Sequence, residues 1–94
     1  MSLALIVDDH SEGRYLLHCL LEGEGFHVME AHDGREALDL AAGRDLDLVI
    51  SDILMPVMDG FSLCRAWKGD ARLSQVPFIF YTATYVDTMT MSWP

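Results

Sequence analysis

Basic residues are scarce. Six of them, with Lys68 the one lysine, stand against fifteen acids in 94 residues, a formal charge of −9. Such a chain repels the phosphates of nucleic acid and of anionic lipid, which argues against direct nucleic-acid binding and against a membrane-surface role. Cysteine is scarce as well. Cys19 and Cys64 have neither metal-ligand spacing nor the makings of a disulfide framework, so the expected compartment is the reducing cytoplasm. No apolar run approaches the roughly 20 residues that span a bilayer. Asp8 and Asp9 interrupt the N-terminal stretch that a signal peptide would keep apolar. Repeats, linkers and low-complexity segments are lacking too. What the chain does have is apolar content: hydrophobic residues make up 51% of it, which excludes disorder. Its length allows one domain, near the lower end of what encloses its own core.

The apolar residues fall into alternating periods. Residues 3–7 form an unbroken apolar run, the pattern of a strand covered on both faces. From Ser11, a candidate N-cap, helical spacing places Leu16, Leu17, Leu20 and Leu21 on one face, and Gly23 and Gly25 stop the helix. Residues 26–31 read as a second strand, His32-Asp33-Gly34 as a turn, and 36–42 as a helix with Ala37, Leu38 and Ala41 inward. A third strand over 46–51 ends at Asp52. Met55-Pro56 and Asp59-Gly60 punctuate the loop that follows, and a helix over 61–68 buries Leu63, Cys64 and Trp67. The fourth strand covers 76–81, opened by Pro77 where a missing N–H is tolerated. This βαβαβαβ order predicts an α/β fold, a parallel sheet with right-handed crossovers and helices on both faces. Thr88-Met89-Thr90-Met91-Ser92-Trp93 alternates with period two, which suits a half-covered strand or a frayed tail.

In open parallel sheets the reactive edge lies beyond the carboxyl ends of the strands. The first and third strands deliver Asp8, Asp9 and Asp52 there. Carboxylates held so close repel one another, and one keeps its proton unless a cation intervenes. Oxygen-only donors with room for water suit Mg²⁺. With the charge screened, a carboxylate can attack phosphorus and form an acyl phosphate. Asp59 reads as the turn partner of Gly60, outside this group. His10, His18, His27 and His32 lack ligand spacing, although His10 borders the acids.

V-D-D-H after the first strand, S-D-I-L-M-P-V-M-D-G after the third and F-I-F-Y-T-A-T after the fourth resemble a response-regulator receiver domain of two-component signalling, over about residues 3–84. The resemblance implies a flavodoxin-like, doubly wound sheet of strand order 2-1-3-4. It implies Asp52 as phosphoacceptor, Asp9 as direct Mg²⁺ ligand, Asp8 as its partner acid and the main-chain carbonyl of Leu54 as a further ligand. Thr82 matches the switch hydroxyl that bonds the phosphoryl group, and Ala83 leaves that group room. Pro56 and Gly60 match the shape of the loop. The implied donor is a sensor histidine kinase or phosphotransfer protein. Such a protein is not an enzyme in the usual sense, though it catalyses its own phosphotransfer and slow hydrolysis.

Receivers continue through a fourth helix, a fifth strand and a fifth helix, with a lysine on the fifth strand that pairs with the phosphoryl group. Here Lys68 falls on the third helix instead. The expectation is a single incomplete receiver over residues 1–94, its tail of 85–94 divergent, able to bind metal and poor at signal output. Exposed leucines on the first helix forfeit roughly 1.5–3 kcal/mol each, and the fourth strand offers an open edge. Self-association therefore follows, as a homodimer or by strand exchange through the tail. A truncated receiver serving only as an interaction or dimerisation module is the alternative function. An aspartyl-intermediate phosphatase ranks below both, because Leu54 stands where its second acid belongs. A flavin-binding domain ranks lower still, for want of a phosphate loop after the first strand.

Overall fold

The structure is a computed structural model that describes residues 2–81. Expectations that rest on Thr82, Ala83 and the alternating segment 88–93 lie outside the described residues. Four strands, β1 (Leu3–Val7), β2 (His27–Ala31), β3 (Leu48–Asp52) and β4 (Phe78–Tyr81), alternate with helices α1 (Ser11–Gly23), α2 (Gly34–Ala41) and α3 (Gly60–Lys68). A short 3₁₀ turn, Leu73–Gln75, precedes β4. All strand pairs are parallel, in the order β2-β1-β3-β4. This is the expected 2-1-3-4 sheet. None of the helices among the described residues is long and apolar enough to cross a membrane.

β1 lies inside the sheet and is the most buried strand, with Ala4, Leu5, Ile6 and Val7 fully covered. Alternation sends Leu5 and Val7 to one side, into a core with Val49, Ala37, Ala41, Leu63 and Trp67. Small alanines on α2 let that helix approach closely, while Trp67 of α3 fills the space and meets Phe78 edge-on, ring centroids 5.8 Å apart. Two helices begin on side-chain caps. Asp33 accepts from the Glu36 amide at 2.8 Å and Asp59 from the Ser62 amide at 2.7 Å, each satisfying a donor that the first turn leaves free. At the other end of α2, Arg72 donates to the carbonyls of Ala41 and Arg44 at 2.8 and 2.6 Å. That contact ties the loop after α3 to the C-terminus of α2.

Several local expectations are corrected. The residue before α1 is His10 rather than Ser11, and it makes no side-chain cap. α2 starts at Gly34, because Asp33 rather than a later residue caps it. Leu46 is buried but precedes β3; there Asp47 bridges to the start of β1 instead, its amide donating to the Leu3 carbonyl at 2.8 Å. The 3₁₀ turn takes up the chain before β4, so that strand begins at Phe78 rather than Val76. Cys64 is half-buried. The leucines of α1 divide: Leu17 and Leu21 are half-buried, whereas Leu16 and Leu20 are 61% and 58% exposed.

Candidate functional site

Asp8 immediately follows β1 and Asp52 ends β3, so parallel pairing sets both at one sheet edge. Both side chains are fully buried. Asp9 is half-buried beside them, and His10 stands at the rim with Nδ1 3.3 Å from Asp8 Oδ1 and 3.1 Å from Asp9 Oδ1. One ligand atom from each of Asp8, Asp9, His10 and Asp52 lies within 4.8 Å of the other three. The expected convergence of the three aspartates is present, and His10 joins it more closely than its place in the sequence indicated.

Electrostatics mark Asp52 as the uncomfortable member. Among the described residues neither of its carboxylate oxygens accepts a hydrogen bond. Burial, and then the neighbouring Asp8, push its pKa above the ordinary carboxylate value; the nearby amides of Leu54 and Ile53, short of hydrogen-bond geometry, offset only part of that rise. A buried carboxylate without a partner is costly, so the site is poised for a cation or for chemistry at Asp52. His10 is drawn up by its bond to Asp8 and by the charge of Asp9. The donor set fits a hard divalent ion: carboxylates lead, and orphaned buried oxygens point inward.

Three supports hold these groups. The Asp8 amide donates to the Ala31 carbonyl of β2 at 3.0 Å, and the Arg14 guanidinium donates to the Asp8 carbonyl at 2.6 Å. Past β3, the loop doubles back so that the Gly60 amide reaches the Ile53 carbonyl at 2.8 Å. A Cβ on Gly60 would overlap the Asp52 carbonyl and come within 2.9 Å of Ile53 Cα, so only glycine fits this approach. Val57, in the same loop, holds φ at +70°, a left-handed value that a β-branched residue rarely adopts. Asp59 stays outside the acidic group, as expected, but does more than turn the chain: it caps α3.

Two participants were not singled out from the sequence. The Tyr81 hydroxyl donates to Asp8 Oδ2, and burial followed by that bond raises the phenol's pKa. Gly13 of α1 faces the same carboxylate, where an added Cβ would overlap Asp8 Oδ2. Lys68 is elsewhere, lining a surface groove with Phe61, Cys64 and Phe80.

A 2-1-3-4 parallel sheet with a cation-ready acidic cluster at its carboxyl edge defines a receiver-type α/β domain. The family model of the response regulator receiver domain matches residues 4–92, and the chain belongs to that family. Protein PilH of Pseudomonas aeruginosa is 36% identical over 88 residues, which span 94% of this chain and 73% of PilH. Response regulator PleD of Caulobacter vibrioides is 42% identical over 80 residues, 84% of this chain but 17% of PleD. The receiver domain of a signal transduction histidine kinase from Syntrophus aciditrophicus superposes with a TM-score of 0.82 at 30% identity, covering 98% of this chain and 86% of that one. The receiver domain of a sensor histidine kinase from Pseudomonas aeruginosa PAO1, solved with magnesium coordinated in its active-site cleft, gives 0.82 at 26% identity, covering 96% and 74%. A complex of the histidine kinase ThkA with the response regulator TrrA contains a chain that superposes at 0.80 and 34% identity, covering 88% and 70%.

Proposed function

We propose that this domain is a phosphoacceptor, and that Asp52 takes a phosphoryl group from the phosphohistidine of a sensor histidine kinase or phosphotransfer protein. The observation that carries the reading is Asp52 itself, fully buried and with no hydrogen bond to either oxygen among the described residues, inside a cluster of three further ligand-bearing side chains. In the transfer a carboxylate oxygen forms the bond to phosphorus as the donor's P–N bond breaks, leaving an acyl phosphate and a free imidazole. Asp8, Asp9 and Asp52, with the Leu54 main-chain carbonyl, would hold Mg²⁺, which supplies charge neutralisation to the incoming group. Magnesium in the cleft of the Pseudomonas receiver and the pairing of ThkA with TrrA support the cofactor and the partner. Thr82 and Ala83 complete the set as switch hydroxyl and small neighbour. The domain acts on itself alone, by weak self-catalysed phosphotransfer and hydrolysis in the cytoplasm, and so is not an enzyme with a separate substrate.

Acetyl phosphate with Mg²⁺ tests this directly. Intact-mass spectrometry should show one added phosphoryl group on the wild-type chain, lost in Asp52→Asn and in the presence of a chelator. A wild-type chain that gains no mass, or gains it elsewhere, overturns the assignment.

A second reading, self-association as an interaction module, is favoured by one observation. Leu16 and Leu20 of α1 are exposed, and so is Ile79 of β4, the end strand of the sheet among the described residues, at 47%. Homodimer formation across these residues would cover them. Sedimentation of the chain as a monomer at micromolar concentration would count against it.

A further inference from the structure

We propose that Tyr81 is the positioning residue for the metal site, its hydroxyl holding Asp8 by Oδ2 so that Oδ1 is presented to the ion. The proposal rests on the reading of the acidic cluster as a Mg²⁺ site, and it adds to that site a residue from a third strand, β4.

The sheet explains the geometry. Asp52 and Tyr81 are register partners across β3 and β4, so their side chains leave the same face. Asp8 lies one step beyond the Val7–Ser51 pair and leaves that face too. Asp8, Asp52 and Tyr81 thus form one row over three strands. The tyrosine is long enough to reach past Asp52 and donate to Asp8.

The two oxygens of Asp8 have separate environments. Oδ2 accepts from Tyr81. Oδ1 accepts from the His10 amide at 2.9 Å and lies 3.3 Å from His10 Nδ1, the same nitrogen that stands 3.1 Å from Asp9 Oδ1. Oδ1 is therefore the oxygen on the Asp9 side, where a shared cation would sit. α1 supplies an independent sign that this arrangement is built in. At Gly13 a side chain would overlap Asp8 Oδ2 and its Cβ would stand 3.7 Å from the Tyr81 hydroxyl, so the helix leaves open the space that the pair occupies. A donor fixed on the outer oxygen of a ligating carboxylate sets the orientation of the inner one, and loss of such a partner weakens metal binding by about 10–100-fold.

The test is a double-mutant cycle on Mg²⁺ affinity, measured by calorimetry with the whole chain. Tyr81→Phe keeps the ring and removes the hydroxyl; it should weaken binding about tenfold. In an Asp8→Asn background the same change should produce no further loss, because Tyr81 acts through Asp8. Equal affinity of wild type and Tyr81→Phe, or losses that simply add, overturn the proposal. A wild-type chain that takes up no Mg²⁺ sinks the metal reading and this proposal together, which separates the two failures. A metal-free readout stands beside the cycle. The Tyr81 hydroxyl proton of the wild-type chain should be observable by NMR and close to Asp8, and a rapidly exchanging hydroxyl overturns the pairing even if Tyr81→Phe does not fold.

Discussion

Arg14 of α1 donates from its guanidinium to the main-chain carbonyl of Asp8, so the first helix grips the strand end that carries two of the acids. The same side chain donates from Nε to Glu30 Oε1 at 3.0 Å and draws in β2. Hydrogen bonds that involve a charged, partly buried group are worth about 1.5–3 kcal/mol. Arg14→Ala should lower the unfolding free energy by about that amount in urea titrations. Arg14→Lys should restore only part of it, because an ammonium lacks the fork that serves both acceptors.

Gly13→Ala separates helix propensity from packing. Propensity alone predicts a gain of about 1 kcal/mol for alanine inside a helix. At Gly13 the new methyl would overlap Asp8 Oδ2, whereas at Gly23 nothing lies within 4 Å. Gly13→Ala should therefore destabilise by about 1–3 kcal/mol, while Gly23→Ala leaves stability little changed or improved. Thermal melts of the two variants decide it.

The left-handed backbone at Val57 makes the opposite kind of prediction. The side chain is 82% exposed, so little packing is lost on replacing it. Val57→Asn should raise stability by about 1 kcal/mol, because asparagine tolerates positive φ far better than valine. The urea midpoint should rise with an unchanged slope.

Acid titration should expose two opposed groups of carboxylates. Glu36 is held below its ordinary pKa by the amide and ring of His32, Asp59 by the Ser62 amide, and Asp70 by the amides of Leu73 and Arg72. Each adds stability that is complete above the ordinary carboxylate value and is lost as pH falls through its lower native value. Asp52 is shifted upward by burial and by Asp8. Its native charge is disfavoured, so its contribution improves as pH falls through its native pKa toward the unfolded one. Metal-free Asp52→Asn should therefore be more stable than wild type near neutrality and lose stability more steeply on acidification. Urea midpoints taken between about pH 3 and about pH 7 follow the two curves as they converge in acid.

Much of this was legible from residues alone. A strand covered on both faces needs a continuous apolar run, and a carboxylate that ends such a run has nowhere to go but the sheet edge. Leu3–Val7 before Asp8 is that pattern in its plainest form. Tyr81 escaped notice because F-I-F-Y reads as ordinary strand composition. What puts Tyr81 in the row of the acids is the register of β3 against β4, which strand composition does not reveal. An isolated glycine within a helix asks for a packing reason, and Gly13 has one in Asp8. The split among the α1 leucines was not legible. Residues 16 and 20 differ from 17 and 21 by a single helical step, so all four fall within one broad apolar stripe, and only the neighbours decide which pair is covered.

The pairing of β3 with β4 carries a cost that its hydrogen bonds conceal. Successive side chains on a strand exit on opposite sides, so a shift of one position would carry Tyr81 into the layer of Phe78 and Phe80 and swing a phenylalanine toward the carboxylates. A strand misaligned at this seam would leave Asp8 without the Tyr81 hydroxyl. Correct alignment of two short ribbons is thus also what brings the Tyr81 hydroxyl to Asp8.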